Sequence, residues 1–219
     1  MQIENHKEEV PFEHYQGLFE KGSAAEMAAR TGAKWEDGKF YVNLLGVEYA
    51  ISHPKYSIAL GERISPLPPV GRNDRDVSIG QVNIPLPVQT FLLRWLLEGK
   101  AVAWQGGWKT FREMPWGELY IKPYTGRVLT RAAFTFGTKV AAFCAACEKM
   151  GGQPLNHGDA GYQLELLPGF SMQIMVWEGD DEFPPNAQIL YSDNFETAFA
   201  PEDRVVAGDL LISAIKGNM

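Results

Sequence analysis

Cysteine is scarce in this chain of 219 residues: Cys144 and Cys147 are the only two, three positions apart. So small a complement excludes the disulfide framework of a small secreted domain. Long apolar runs are missing as well. The richest, around residues 91–97 and 140–147, fall far short of the roughly 20 residues needed to cross a bilayer. No basic run occurs either. Lys and Arg number 20 against 27 Asp and Glu, a net charge of −7, which argues against nucleic acid or an anionic membrane as main partner. Residues 1–9 are polar and acidic, unlike a secretory leader. Together these absences predict a cytoplasmic protein.

Familiar chemical signatures are lacking too. There is neither a phosphate-binding glycine loop nor a dinucleotide fingerprint, and the glycines of Gln105-Gly106-Gly107-Trp108 do not introduce a helix. No Ser-His-Asp order with a nucleophile elbow can be assembled. His6, His14, His53 and His157 are dispersed; His157, two residues from Asp159, has the best exposure, and His53 before Pro54 reads as structural.

What the chain does have is packing material. Hydrophobic residues make up 45% and aromatic residues 12%, with six Trp and twelve Phe. A fold of this length buries about 70% of its unfolded surface and needs no metal or disulfide to stand. Phe12, Tyr15 and Phe19 predict a short helix over residues 11–21. Ser23 and Glu26 stand at capping-box spacing before a second helix that Gly32 ends. Asp37-Gly38 is a hairpin signal between residues 33–36 and 39–44, and a strand over 47–52 completes a three-stranded meander. Residues 65–87 hold Pro66, Pro68, Pro69, Pro85 and Pro87 and read as a long connection. Val88, Phe91, Leu92, Trp95 and Leu96 then recur at helical spacing up to Gly99, with apolar groups nearly all round.

The Trp- and Gly-rich residues 100–127 read as irregular, with a short strand at 118–122. Helices follow near 128–136 and over 138–150, closed by Gly151-Gly152. Strands at 162–167 and 172–177 flank Pro168-Gly169, the central pair a type II turn favours. Pro201 precedes a last helix over 202–216. The expected fold class is α+β, with the antiparallel N-terminal meander and C-terminal hairpin covered by helices. The expected organisation is 1–64, the connection 65–87 and a main portion 88–219, within one compact domain.

The densest chemistry lies in Trp177-Glu178-Gly179-Asp180-Asp181-Glu182-Phe183-Pro184-Pro185. Four carboxylates on one turn repel one another unless water, a cation or basic side chains compensate. A solvated turn is one reading. A site for a hard cation is another, although the regular calcium-loop spacing is missing, and an acid–base pair is a third. Arg112, among Phe111 and Met114-Pro115-Trp116, is the expected counter-charge; stacking on a planar ligand is its alternative role. Trp108, Arg112, Glu113, Trp177, Glu178, Asp180 and Glu182 are therefore the candidate ligand-binding residues. Cys144 and Cys147 share a helical stripe with Val140 and Phe143, which makes them core filler; a metal there would need His157 and Asp159 as further ligands.

Several of these segments together carry a family resemblance. They are residues 91–97 (Phe-Leu-Leu-Arg-Trp-Leu-Leu), 108–115 (Trp-Lys-Thr-Phe-Arg-Glu-Met-Pro), Gly151-Gly152-Gln153-Pro154-Leu155 with Gly158-Asp159-Ala160, and Trp177 to Pro185. Glu202-Asp203 with Gly208 completes the set. The chain resembles, from about Tyr15 to Ile215, a bacterial and archaeal domain-of-unknown-function family numbered 3786. The resemblance implies a protein of strict anaerobes with no established activity. Some members carry an added cysteine-rich, cluster-type segment, which this chain lacks. Two functions of different class follow. One is a non-enzymatic protein that binds a small molecule, a metal-bearing cofactor (a corrinoid, for instance) or a protein partner. The other is a hydrolase-like enzyme with Glu178 or Asp180 as general base and Arg112 as electrostatic partner.

Overall fold

A computed structural model of the chain describes residues 6–61, 67, 70 and 84–219. Two helices open it, α1 (His6–Lys21) and α2 (Ala24–Thr31). Ser23 caps α2 by accepting from the Glu26 amide at 3.4 Å, and Gly32 ends it in the left-handed conformation. Four antiparallel strands follow in sequential order: β1 (Lys34–Glu36), β2 (Lys39–Leu44), β3 (Val47–Ser52) and β4 (Ser57–Leu60). Asp37 and Gly38, at φ 51° and 72°, form the β1–β2 turn, where two positive φ values match the twist of the strands. The expected meander is therefore present with one strand more. Alternation assigns its faces: Phe40, Val42, Leu44, Val47, Tyr49 and Ile51 are buried, and the residues between them are half-exposed.

Most of the connection expected over residues 65–87 lies outside the described residues. Its last residues start α3 (Leu86–Glu98), with Pro85 at the cap and Pro87 in the first turn, where a missing N–H costs nothing. Val88, Phe91, Leu92, Leu93, Trp95 and Leu96 of α3 are buried, as their spacing predicts. Arg94 is the one charged residue among them.

Residues 100–127 differ from the expectation. A short strand β5 (Trp108–Thr110) precedes a 3-10 turn (Phe111–Glu113) and a helix α4 (Gly117–Tyr124) that occupies the segment expected as a strand. The physical reason is packing at helical period. Tyr124 and Val128, four apart, are buried, and Tyr124 stacks on Phe111 with ring centroids at 4.1 Å. Pro123 within α4 cannot donate to the preceding turn, and beyond it the helix runs in π register (Thr125–Thr130) before α5 (Arg131–Phe136).

Helix α6 (Val140–Lys149) leads to the second sheet: β6 (Gln153–Leu155), β7 (Ala160–Leu167), β8 (Phe170–Trp177) and β9 (Asn186–Ser192), with β5 joining from earlier in the chain. The order is β5-β9-β8-β7-β6, antiparallel throughout. Pro168 and Gly169 (φ 83°) close the β7–β8 hairpin as anticipated. Helix α7 (Phe195–Ala198) and helix α8 (Pro201–Asn218) end the chain. The fold class is α+β with antiparallel strands. The Leu45 amide bonds to the Leu166 carbonyl at 2.8 Å, tying the β2–β3 turn to β7, and nearly all the buried apolar residues described form one cluster from Phe19 to Ile215. Among the described residues no helix is long and apolar enough to cross a membrane.

Candidate functional site: a charged cleft between α3 and α8

The carboxylate-rich turn joins β8 to β9. Glu178, Asp180, Asp181 and Glu182 are all exposed, as are Trp177 and Phe183. Among the described residues no ion pair reaches any of the four carboxylates. Backbone amides compensate one of them, Asp180. Asp180 Oδ1 accepts from the amides of Glu182 at 2.8 Å and Phe183 at 2.7 Å, while Asp159 Oδ2 accepts from the Glu178 amide at 2.7 Å. The Phe183 amide, then that of Glu182, holds the Asp180 carboxyl below the usual carboxylate range.

Arg112, expected as the counter-charge of this turn, pairs with Glu118 at 3.0 Å, both side chains largely exposed. The strand register explains the difference. Thr110 pairs with Leu190 and Trp177 with Asn186, so β5 and the turn attach to β9 four residues apart, about 13 Å along the strand. Glu113 is occupied locally. It closes a capping box, accepting from the Thr110 amide at 2.7 Å and the Thr110 hydroxyl at 2.8 Å; that amide first, and the hydroxyl second, lower its carboxyl. Trp108 packs edge-to-face on Trp104, centroids 5.0 Å apart. Trp108, Arg112 and Glu113 thus cluster around β5, and Trp177, Glu178, Asp180 and Glu182 around the turn. Among the described residues no hydrogen bond, ion pair or ring contact joins the two groups.

Cys147 is fully buried and Cys144 half-buried. Burial, then the neighbouring Cys144 and Glu148, push the Cys147 thiol far up, so it stays protonated. The stripe is core filler, as its spacing predicts. Among the described residues no three His, Cys, Asp or Glu side chains gather as a metal ion would require.

A different set of groups converges where α3 meets the start of α8. Arg94 grips Asp203 bidentately: Nε donates to Oδ1, and Nη2 donates to Oδ2 at 2.9 Å. Its Nη1 donates to the Tyr15 hydroxyl, and its guanidinium carbon lies 4.7 Å from the centroid of that ring. Glu98, one turn along α3, lies 3.3 Å from Nη2. Asp203 is buried, and burial raises its carboxyl above the usual range in spite of Arg94, the largest opposing influence. Burial also disfavours the Arg94 cation, but Asp203, Glu98 and Tyr15 together outweigh it and leave the guanidinium more firmly protonated.

Directly after Asp203, Arg204 is 2% exposed. It donates from Nε to the Phe199 carbonyl (3.0 Å), from Nη1 to that of Pro115 (2.7 Å) and from Nη2 to that of Glu196 (2.9 Å). The bond to Pro115 fixes the turn ahead of α4. There Trp116 adopts φ 65°, a left-handed conformation that costs a bulky residue about 1–2 kcal/mol. Gly117 must follow, because a Cβ there would strike the Phe111 carbonyl. Trp116 is 71% exposed. Around these groups lies a cleft of about 330 Å³, lined by Arg94, Glu98, Trp116, Glu196, Phe199, Asp203 and Arg204 among others.

A second cleft, about 490 Å³, lies on the half-exposed face of the first sheet and includes Lys34, Glu36, Tyr41, Asn43 and Glu48. It is larger, but Lys34 and Glu36 are exposed and neutralise each other, and Asn43 is engaged with the Gly46 amide. The α3–α8 cleft holds the buried charges and the strained aromatic, which is where tuned chemistry concentrates.

A family model described as a domain of unknown function (DUF3786) matches residues 23–214. The chain belongs to this family. Comparison with curated proteins and with solved structures gives no match. The DUF3786 match spans both halves of the cleft, from Arg94 on α3 to Asp203 and Arg204 on α8. Sequence reasoning included Arg94 and Asp203 only within resembling segments and gave them no role. The available signal was Arg94 itself, one charge inside an otherwise apolar helical stripe.

Proposed function

We propose that this DUF3786 protein is a non-enzymatic binding protein for a small polar organic molecule, seated in the cleft between α3 and α8. The reading is carried by one observation: Trp116 is held in a strained, solvent-facing conformation at the cleft by a buried arginine. Backbone bonds of the turn set that conformation, and the indole draws little packing in return because it is largely in water. A ligand stacking on it would supply the return. The cleft volume falls at the small end of ligand sites, roughly 300–1,000 Å³. Arg94 and Asp203 form its rigid wall, since each holds the other in place.

Less supports the second reading, a hydrolase-like enzyme with Glu178 or Asp180 as general base and Arg112 as electrostatic partner: Arg112 pairs with Glu118 and, among the described residues, forms no ion pair with the turn.

A thermal-shift screen of a small-metabolite library against the protein and Trp116→Ala tests the proposal. A ligand at about 100 times its Kd stabilises by about 2.7 kcal/mol, worth about 5 °C or more in Tm for a chain of this size. Shifts lost in Trp116→Ala support the reading, and shifts that persist undiminished contradict it.

A further inference from the structure

The charge of the ligand follows from which groups the cleft leaves accessible; the inference rests on the reading that the cleft holds a ligand. Both cationic heads are sunk and occupied. Arg204 gives its three nitrogens to backbone carbonyls. The Arg94 side chain is 16% exposed and engages Asp203 through two nitrogens and Tyr15 through the third. An incoming carboxylate or phosphate would have to displace Asp203 or a main-chain carbonyl to reach either guanidinium. Asp203 is equally committed, both of its oxygens being taken by Arg94.

Glu98 is not. Its side chain is 47% exposed, and its contact with Arg94 is the 3.3 Å one, the longest in the cluster. Glu196, the other carboxylate of the lining with access to solvent, is paired with Lys109 at 2.6 Å. A molecule entering the cleft therefore meets one under-compensated carboxylate and the indole of Trp116. The electron-rich ring face attracts cations, and a carboxylate beside it adds charge.

We infer that the cleft takes the cationic end of a small organic molecule, an alkylammonium, quaternary ammonium or guanidinium group, between Trp116 and Glu98. The acidic turn after β8 also attracts cations, through four carboxylates that are all exposed. It would collect them by charge alone and release them in salt.

The test uses the full chain, ¹⁵N-labelled, titrated at constant ionic strength with tetramethylammonium, n-butylammonium and guanidinium. Butyrate and 1-butanol serve as anionic and neutral counterparts. The readout is the indole N–H resonance of Trp116, assigned by its loss in Trp116→Phe. The cations should move it saturably, with butyrate and butanol at least ~5-fold weaker, and Glu98→Gln should weaken the cations by ~5-fold while leaving butanol unchanged. Equal binding of butyrate, or cation binding indifferent to Glu98→Gln, overturns the cation assignment and leaves the cleft standing. A capped lysine amide that binds more than ~10-fold tighter than n-butylammonium would assign the cation to a protein side chain and overturn the small-molecule source. If no probe moves Trp116 and no library compound gives a Trp116-dependent thermal shift, the cleft reading itself fails.

Discussion

The acidic turn after β8 and the cleft between α3 and α8 are both rich in charge, yet they solve the electrostatic problem in opposite ways. The turn leaves its carboxylates in water and satisfies Asp180 with amides two and three residues away. The cleft takes Asp203 out of water and meets it with Arg94 from 109 residues away. Water makes a local charge run cheap, so such a run says little about function. A buried charge is costly unless a partner is held in register, so its presence marks a place the fold was built to hold.

The largest expected effect that sharpens this contrast is on stability. Asp203→Ala leaves Arg94 part-buried without its bidentate partner and should cost about 3–5 kcal/mol in urea unfolding. The double change Glu178→Gln with Asp181→Asn should leave the unfolding midpoint where it was, since neither side chain has a partner among the described residues. A comparable loss in the double variant would erase the distinction between the two regions.

Trp116→Gly comes next. Glycine adopts φ 65° freely, so removal of the left-handed strain should raise stability by about 1 kcal/mol. The same variant should lose the ligand-dependent thermal shift. A destabilised Trp116→Gly protein would mean the indole packs as ordinary scaffold.

Smaller but more diagnostic is the titration of the two aspartates, followed by carboxyl-carbon NMR. Asp203 should titrate above the ordinary value of 3.8, because burial raises it, and Asp180 below it, because amides lower it. The signs separate as well. The pH-linked part of the stability owed to Asp203 is complete below 3.8 and is lost as pH rises through its folded pKa, while the pairing with Arg94 remains. The part owed to Asp180 is present above 3.8 and is lost as pH falls through its folded pKa. The smallest effect belongs to Arg112→Ala. An exposed pair with Glu118 is worth about 0.5 kcal/mol or less, and the acidic turn should not respond at all.

Much of the architecture was legible because its signals are local. Ser23 and Gly32 bound a helix, Asp37-Gly38 and Pro168-Gly169 are turns, and the apolar stripe of α3 repeats at helical period. The errors fall where a partner distant in sequence decides. Trp108–Thr110 is a strand because β9 presents an edge, and that edge lies some 80 residues later. Residues 118–122 carry an apolar stretch that fits a strand in isolation, but Tyr124 stacks on Phe111 and Val128 is buried behind it, which sets the helical period. The sequence candidates and the residues of the cleft differ for a related reason. Four adjacent carboxylates are conspicuous in a sequence, whereas Arg94 and Asp203 are single charges in separate helices, and nothing local announces that they meet.

The most direct test of the account compares two indoles in one experiment. With tetramethylammonium added to the labelled protein, Trp116 beside the cleft and Trp177 beside the acidic turn are followed together. A saturable shift of the Trp116 indole N–H that survives about 150 mM salt is expected, while Trp177 moves little and loses its response as salt screens the turn. A saturable, salt-resistant shift at Trp177 with Trp116 unmoved would place the binding locus at the acidic turn and contradict the assignment to the cleft.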